Sequence, residues 1–186
     1  NALARGGFAV SVELIPPRGV QIDTLMEQAQ RLRLRGVDLV NIPDNPRSSS
    51  RMSALSAAVP IQRETGLATI PHNARRARNL LGSQSALLGA HSMGVRNLLC
   101  ITGDPPRMGT YPDATAVFDV DAIGLVNIVN NLNQGLDIGG NPIGSKTALP
   151  IGAGAHPGAQ NLGEAIRRVE WEADAGAQTA NTQPAP

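Results

Sequence analysis

Residues 8–18 read Phe8-Ala9-Val10-Ser11-Val12-Glu13-Leu14-Ile15-Pro16-Pro17-Arg18, an apolar run that stops at one acidic residue just before two prolines. Five more apolar runs follow, and each also stops at a polar residue or a small polar cluster. Successive stops lie 27 to 52 residues apart, the length of a strand, a loop, a helix and a return loop. If the strands are parallel, all the stops emerge at one end of one sheet. The six stops are Glu13, Asp44, His72, Asp104, His156 and Gln183.

Segments with helical periodicity lie between these runs. In the first segment, Ile22, Leu25 and Met26 begin a series of apolar residues at spacings of three and four, which places them on one helix face. A glycine separates most segments from the next run, where a left-handed helix end costs this residue little. The predicted helices cover residues 22–34, 51–65, 78–92, 120–132 and 162–173.

The order of these elements predicts an α/β fold with a parallel sheet, either an open doubly wound sheet or a barrel. An open sheet that binds dinucleotides carries G-x-G-x-x-G directly after its first strand, whereas this chain has residues 13–18 there. We therefore predict a TIM (β/α)8 barrel, of which about six strand-helix units are present. Residues 1–186 form a single barrel domain in this prediction, incomplete at the C-terminus because six strands alone leave open edges.

Composition narrows the partners of the chain. The formal net charge is +1 and 17% of residues are charged, so we expect no nucleic-acid partner. Cys100 is the single cysteine, which favours a reducing, cytoplasmic compartment. No apolar run approaches the roughly 18 to 20 residues of a membrane span, and the pattern suggests no metal site. We expect a cytoplasmic protein without a membrane partner.

Two features suggest chemistry from the residues alone. Glu13 ends an apolar strand, and apolar surroundings would keep its carboxyl group protonated for general-acid catalysis. A helix-capping or surface glutamate is the other interpretation of this residue. The only tight basic cluster, Arg75, Arg76 and Arg78, is either a solvated first turn of a helix or a binding site for a phosphate group.

Motifs in order along nearly the whole chain resemble the methylenetetrahydrofolate reductase family. The resemblance is closest to the bacterial form that is often fused behind a homocysteine methyltransferase domain. Any one motif is weak, but the ordered set is specific. The motifs are Ser11-Val12-Glu13-Leu14-Ile15-Pro16-Pro17-Arg18-Gly19, Asp44-Asn45-Pro46, Arg78-Asn79-Leu80, Ile101-Thr102-Gly103-Asp104-Pro105-Pro106, Tyr111-Pro112-Asp113-Ala114-Thr115, Phe118-Asp119-Val120-Asp121 and Thr182-Gln183-Pro184.

The resemblance implies a flavoprotein barrel that uses FAD and NAD(P)H to reduce methylenetetrahydrofolate to methyltetrahydrofolate, and a homo-oligomeric protein. Glu13 matches the family's acid, which protonates the folate. Asp104 matches a carboxylate beside the flavin and the folate pterin, and Gln183 matches an amide that holds the folate. The positions that match cofactor contacts are Asp44, His72, Thr102, Gly103, Asp104, His156 and Ala159.

The chain departs from the family pattern at two places. The segment from His72 to Asn79 lacks a hydroxyl and a carboxylate that the family carries there, with Ala77 at one of the changed positions. Glu172 replaces a lysine that the family uses on the FAD phosphates, and an anionic side chain near a pyrophosphate repels it. The candidates to replace this lysine are Arg167, Arg168 or the cluster at Arg75 and Arg76. Two alternatives stay open. The departures favour a degenerate, non-catalytic barrel with a regulatory or assembly role, and the arginine cluster allows a barrel enzyme of another class with a phosphorylated substrate.

Overall fold

The structure, a computed structural model, describes residues 6–182 of the chain. Within this range, strands and α-helices alternate. The strands are β1 Ser11–Glu13, β2 Leu39–Ile42, β3 Ala68–Ala74, β4 Leu98–Ile101, β5 Ile151–Ala155 and β6 Thr179–Thr182. The helices are α1 Asp23–Leu34, α2 Ala54–Thr65, α3 Leu80–Ser92, α4 Ala122–Gln134 and α5 Leu162–Asp174.

The six strands form one parallel sheet in which the spatial order β1 to β6 is also the order in the chain. This confirms the predicted α/β class and the parallel sheet. An open doubly wound sheet reverses its strand order at a switch point, and this sheet has no such reversal within residues 6–182. The sheet curls into a half-barrel, so the loops that follow its strands gather at one end.

Alternation along the strands gives the sheet a helix-facing side and a concave side. Val40 pairs in register with Thr69, and both are fully buried on the helix side, where the Thr69 hydroxyl hydrogen-bonds Gln62 of α2. The neighbouring register line pairs Glu13 with Asn41, which therefore point to the concave side. Aliphatic side chains on the helix side form the core, and the concave side carries polar residues.

The helices begin and end close to the predicted positions, with one difference at α2. Its predicted start at Arg51 is wrong, because the backbone N–H of Arg51 donates to the Asn45 side chain and that of Met52 donates to the carbonyl of Pro17. These bonds hold both residues in the preceding loop. The predicted glycines at the helix ends are confirmed. Gly36, Gly66, Gly94 and Gly176 follow α1, α2, α3 and α5, and their φ angles are +80°, +68°, +99° and +121°.

Within residues 6–182, no helix has the length and apolar character needed to cross a membrane. No cluster of three or more His, Cys, Asp or Glu side chains in this range is arranged to hold a metal ion.

Candidate active site

A cavity of about 750 Å³ opens at the end of the sheet where the strands terminate. Residues from β1, β2, β3, β4, β5 and β6 line it, and so do residues of α4 and α5. Its size falls within the range typical of small-molecule and cofactor sites. The lining residues are Ser11, Glu13, Asn41, His72, Leu99, Cys100, Ile101, Thr102, Gly103, Asp104, Ala122, Gly154, Ala155, His156, Arg168, Glu172, Asn181 and Thr182.

The cavity has two parts that lie on opposite sides of β4. Leu99 pairs with His72 in register and points to the concave side, whereas Cys100, the next residue, points to the helices. Both line the same cavity, which therefore passes over the end of the strand. We call the concave part the inner arm. We call the part against the helices, lined by Cys100, Ala122, Arg168 and Glu172, the outer crevice.

Glu13 lies at the end of β1 in the inner arm. Its side chain is exposed, so the expectation that apolar neighbours enclose it is wrong for the residues that the structure describes. The nearby polar groups are Ser11 and Asn41, where the Asn41 amide nitrogen donates to the Ser11 hydroxyl at 2.7 Å. The Asn41 side-chain oxygen is buried and has no hydrogen-bond partner in the described chain. Glu13 is thus an accessible proton donor or acceptor beside an amide with a free acceptor oxygen.

His72 lies within β3 and not after it, because this strand continues to Ala74. Its Nε2 atom is buried and makes no hydrogen bond to the residues described. Burial lowers the pKa of His72 to about 4, and this effect outweighs the opposing influence of Asp44. The imidazole is therefore neutral at pH 7 and offers one ring nitrogen to the cavity.

Asp44, predicted from the resemblance to contact the cofactor, is buried and does not line the cavity. Its carboxylate accepts from the backbone N–H of Ala74 at 3.1 Å and from the Arg78 guanidinium at 3.0 Å. In the described residues its oxygens therefore tie the end of β2 to the end of β3. It positions the strands that carry the cavity.

Thr102, Gly103 and Asp104 follow β4 and line the cavity together. The Asp104 carboxylate accepts from the backbone N–H of Arg47 at 3.0 Å, which joins the loop after β4 to the loop after β2. Gly103 has φ +86°, and a Cβ atom there would lie 2.7 Å from the Arg76 guanidinium. Only glycine fits this turn without displacing that arginine.

The remaining predicted site residues divide into three cases. His156 is exposed and lines the cavity after β5. Ala159 lies in the same loop, where its backbone N–H donates to the carbonyl of His156, but it is not among the residues that line the cavity. Gln183 lies outside the described residues. Its predecessor Thr182 is at the cavity, as is Asn181.

The arginine cluster contradicts one of the two interpretations of its sequence. Arg75 is fully buried and Arg76 is nearly so, so a solvated first turn is wrong. Arg75 hydrogen-bonds the Ser83 hydroxyl and the carbonyl of Arg78, and Arg76 donates to the carbonyl of Asp44. None of the three arginines lines the cavity. These bonds fix loops, while the buried Arg75 Nε atom has no partner among the described residues and Arg76 lines a separate cavity.

Glu172, in the last turn of α5, forms part of the outer crevice. It is 3% exposed, and its Oε2 atom has no partner among the described residues. Burial raises the pKa of Glu172, as does Asp121, and the cation Arg168 opposes them. Arg168 also lines the crevice and forms an ion pair with Asp121 at 3.3 Å.

The sequence model of the methylenetetrahydrofolate reductase family matches residues 1–184. The chain belongs to this family. The expected family relationship is therefore confirmed over almost the whole chain. No curated protein sequence matches the chain.

Two solved structures resemble this chain in fold. Both are crystal forms of 2,3-dimethylmalate lyase, described as a PEP mutase/isocitrate lyase superfamily member. The triclinic form has a TM-score of 0.65 at 11% identity and covers 98% of this chain and 61% of its own. The trigonal form has a TM-score of 0.63 at 11% identity and covers 98% and 60%. The chain thus spans about three fifths of these structures, and identity this low shows a shared fold alone.

Several residues that line the cavity were not predicted as site residues, among them the polar residues Ser11, Asn41 and Asn181, which lie within strands. Glu13 lies two residues after Ser11, so both point to the concave side. The sequence pattern that could have identified these residues is a polar residue inside a strand, either alone or two positions from another polar residue. This pattern becomes visible only when the residues inside the strands are considered together with those at the strand ends.

Proposed function

We propose that this chain carries the active site of a flavin-dependent methylenetetrahydrofolate reductase that takes electrons from NAD(P)H. The observation that carries the proposal is the convergence of Glu13, His72, Asp104 and His156 from four strands on one cavity, in a chain of this family. We further propose that the half-barrel belongs to a TIM (β/α)8 barrel in a cytoplasmic homo-oligomer. A bound FAD would relay hydride from NAD(P)H to the folate.

The donors and acceptors at the cavity fit an FAD molecule. The unpartnered His72 Nε2 and Asn41 Oδ1 are buried polar atoms, which normally have partners, so a ligand at this cavity can supply them. An inner arm and an outer crevice suit a ligand with two halves. The residues that would hold it are His72, Thr102, Gly103, Asp104 and His156, with Arg168 in the crevice.

Glu13 would act on the folate as a general acid. Its accessible carboxyl group can deliver a proton to the bridging ring of methylenetetrahydrofolate, and protonation opens that ring to an electrophilic iminium. Gln183 would hold the pterin edge, because an amide offers both a donor and an acceptor. The position of Thr182 at the cavity supports this role for the residue that follows it.

Asp104 would control the electron transfer by its charge. Its carboxylate is fixed by the Arg47 backbone N–H, so its negative charge has a defined place in the inner arm. A fixed anion beside a flavin disfavours the gain of negative charge on the ring and lowers its reduction potential. His72 complements it as a neutral ring that adds no charge.

The two half-reactions test the proposal separately. In an anaerobic stopped-flow experiment, NADH or NADPH should bleach the flavin absorbance of the full-length protein, and methylenetetrahydrofolate should restore it. A protein that binds no flavin, or whose reduced flavin does not react with the folate, contradicts the proposal. The same experiment identifies which nicotinamide cofactor is used.

A degenerate, non-catalytic barrel is the second candidate, and the glutamate at position 172 favours it. If that residue excluded FAD, the chain would keep its fold without catalysis. The test above separates the two candidates, because a non-catalytic protein fails both half-reactions. A barrel enzyme with a phosphorylated substrate has less support at this cavity, since none of the residues Arg75, Arg76 and Arg78 lines it.

A further inference from the structure

Glu172 lies at a position where a glutamate should destabilise the fold. It lies in the last turn of α5, where the helix dipole favours cations and disfavours acids. It is 3% exposed, and one carboxyl oxygen has no partner in the described chain. A buried polar atom without a partner costs about 1–3 kcal/mol. Glu172 also lines the outer crevice, so a ligand there is the candidate partner for this oxygen.

Burial raises the pKa of Glu172 and Asp121 adds to this effect, whereas Arg168 opposes it. Arg168 lies one helical turn earlier and forms an ion pair with Asp121 at the N-terminus of α4. Cys100 of β4 also lines the crevice and is fully buried, and burial raises the pKa of its thiol. A carboxyl group accepts hydrogen bonds in either protonation state, and it also donates one when it is protonated.

The two charged or polar side chains of the outer crevice differ in exposure. The Arg168 side chain is 40% exposed and marks the mouth, whereas Glu172 lies buried further in. Phosphate oxygens only accept hydrogen bonds, and their charge suits Arg168. A sugar hydroxyl both donates and accepts, so it matches a carboxyl group in either protonation state. The expected conflict between this glutamate and a pyrophosphate arises only if the two are adjacent.

We propose that Glu172 hydrogen-bonds a ribose hydroxyl in the AMP half of FAD, while the phosphates lie toward Arg168 at the mouth of the crevice. This inference rests on the proposed function, because it requires FAD at the cavity. It makes Glu172 a binding residue for a neutral group where a cation on the phosphates was expected. Glu172 then discriminates FAD from flavins that lack the AMP half.

The test compares the affinities of FAD and FMN by fluorescence titration of the apoprotein, with no turnover involved. Glu172→Met removes the hydrogen bond at similar volume, and should weaken FAD about tenfold, the value of one such bond, with FMN unchanged. Glu172→Gln keeps a donor and an acceptor, and should bind FAD within about threefold of the wild type. Glu172→Lys should weaken FAD binding, because it removes the hydrogen bond to the ribose and places a cation at a buried position.

Three results would overturn the inference. Unchanged FAD affinity in Glu172→Met means that water satisfies the carboxyl group. Equal weakening of FAD and FMN means that the residue only supports the fold. Tighter FAD binding by Glu172→Lys places the phosphates beside position 172. A wild-type protein that binds neither flavin instead contradicts the proposed function, and the inference with it. Circular dichroism and thermal unfolding of each apoprotein variant show which variants are folded.

Discussion

At the scale of single residues, Glu13 and His72 illustrate two ways in which a strand presents a polar group to the cavity. Glu13 is exposed at the end of β1, whereas His72 lies inside β3 and its side chain is largely buried. The sequence predicted the end position of Glu13 from the way that apolar runs stop, but it placed His72 after its strand, whereas β3 continues to Ala74. It did not predict their exposure, because enclosure depends on neighbouring strands that are distant in the chain. Asp44 shows the same limit, since its partners Ala74 and Arg78 come from β3 and the loop after it.

The first prediction concerns Glu13→Gln. The amide cannot deliver a proton, so folate-dependent reoxidation of the flavin should slow by at least about a hundredfold, the usual contribution of a general acid. Flavin reduction by the nicotinamide cofactor should stay within about twofold, because it needs no proton at the folate. Stopped-flow absorbance measures both rates.

A matched variant controls for the loss of one carboxylate. Glu170→Gln changes an exposed glutamate on α5 that does not line the cavity, and both half-reactions should keep their rates. Equal slowing of the two half-reactions in Glu13→Gln contradicts the assignment of this residue to the folate alone.

The second prediction uses the pKa of His72, which is lowered from 6.5 to about 4. Between these values the unfolded chain binds a proton that the folded protein does not. Above pH 6.5 the titration of His72 therefore takes nothing from the unfolding free energy. As the pH falls from 6.5 toward 4, this titration lowers the unfolding free energy by up to about 3 kcal/mol. The variant His72→Gln should show a flatter dependence of the unfolding free energy on pH over this window.

Urea unfolding at intervals from pH 4.5 to 7 measures this difference between the variant and the wild type. The comparison with the variant matters because the raised pKa of Glu172 acts in the opposite direction, destabilising the fold as the pH rises. Parallel pH profiles for the two proteins would show that His72 titrates normally in the folded state.

At the scale of elements, the turn after β4 shows most clearly how local structure serves the site. Gly103 has a positive φ angle and packs so closely on Arg76 and Ala74 that no side chain fits. The next residue, Asp104, reaches the loop after β2 through the backbone of Arg47. The two loops are thus joined beside the cavity.

The third prediction follows from this turn. Gly103→Ala should lower the unfolding free energy by about 2 kcal/mol, from the left-handed backbone and from Cβ distances of 2.7 Å to Arg76 and 2.8 Å to Ala74. Gly89→Ala is the matched control in α3, where nothing lies within 4 Å of the added Cβ. It should raise stability by about 0.5–1 kcal/mol, because alanine favours a helix over glycine.

Urea denaturation of the two variants beside the wild type decides this prediction. Equal stability of Gly103→Ala and the wild type would mean that the turn tolerates a side chain. The helices themselves were predictable from apolar spacing and glycine ends. The start of α2 and the buried Arg75–Ala77 turn were not, because side-chain and backbone bonds to other loops determine them.

At the scale of the whole molecule, the parallel sheet was predictable because its strands are short apolar runs separated by helices of regular length. The cavity was predictable only as a gathering of strand ends. Its extension over β4 into the outer crevice arises from the alternation of Leu99 and Cys100 together with the packing of α4 and α5 on the sheet. Gln183, the expected amide, lies outside the described residues and stays a prediction.

Under the proposed function, polar residues from separate strands of one curled sheet surround a single flavin. The decisive experiment is a crystal structure of the full-length protein with FAD. We expect the isoalloxazine ring in the inner arm, within hydrogen-bond distance of His72 or the residues 102–104, and the AMP half in the outer crevice. FAD bound elsewhere on the protein, or a ring with no contact to these residues, would contradict it.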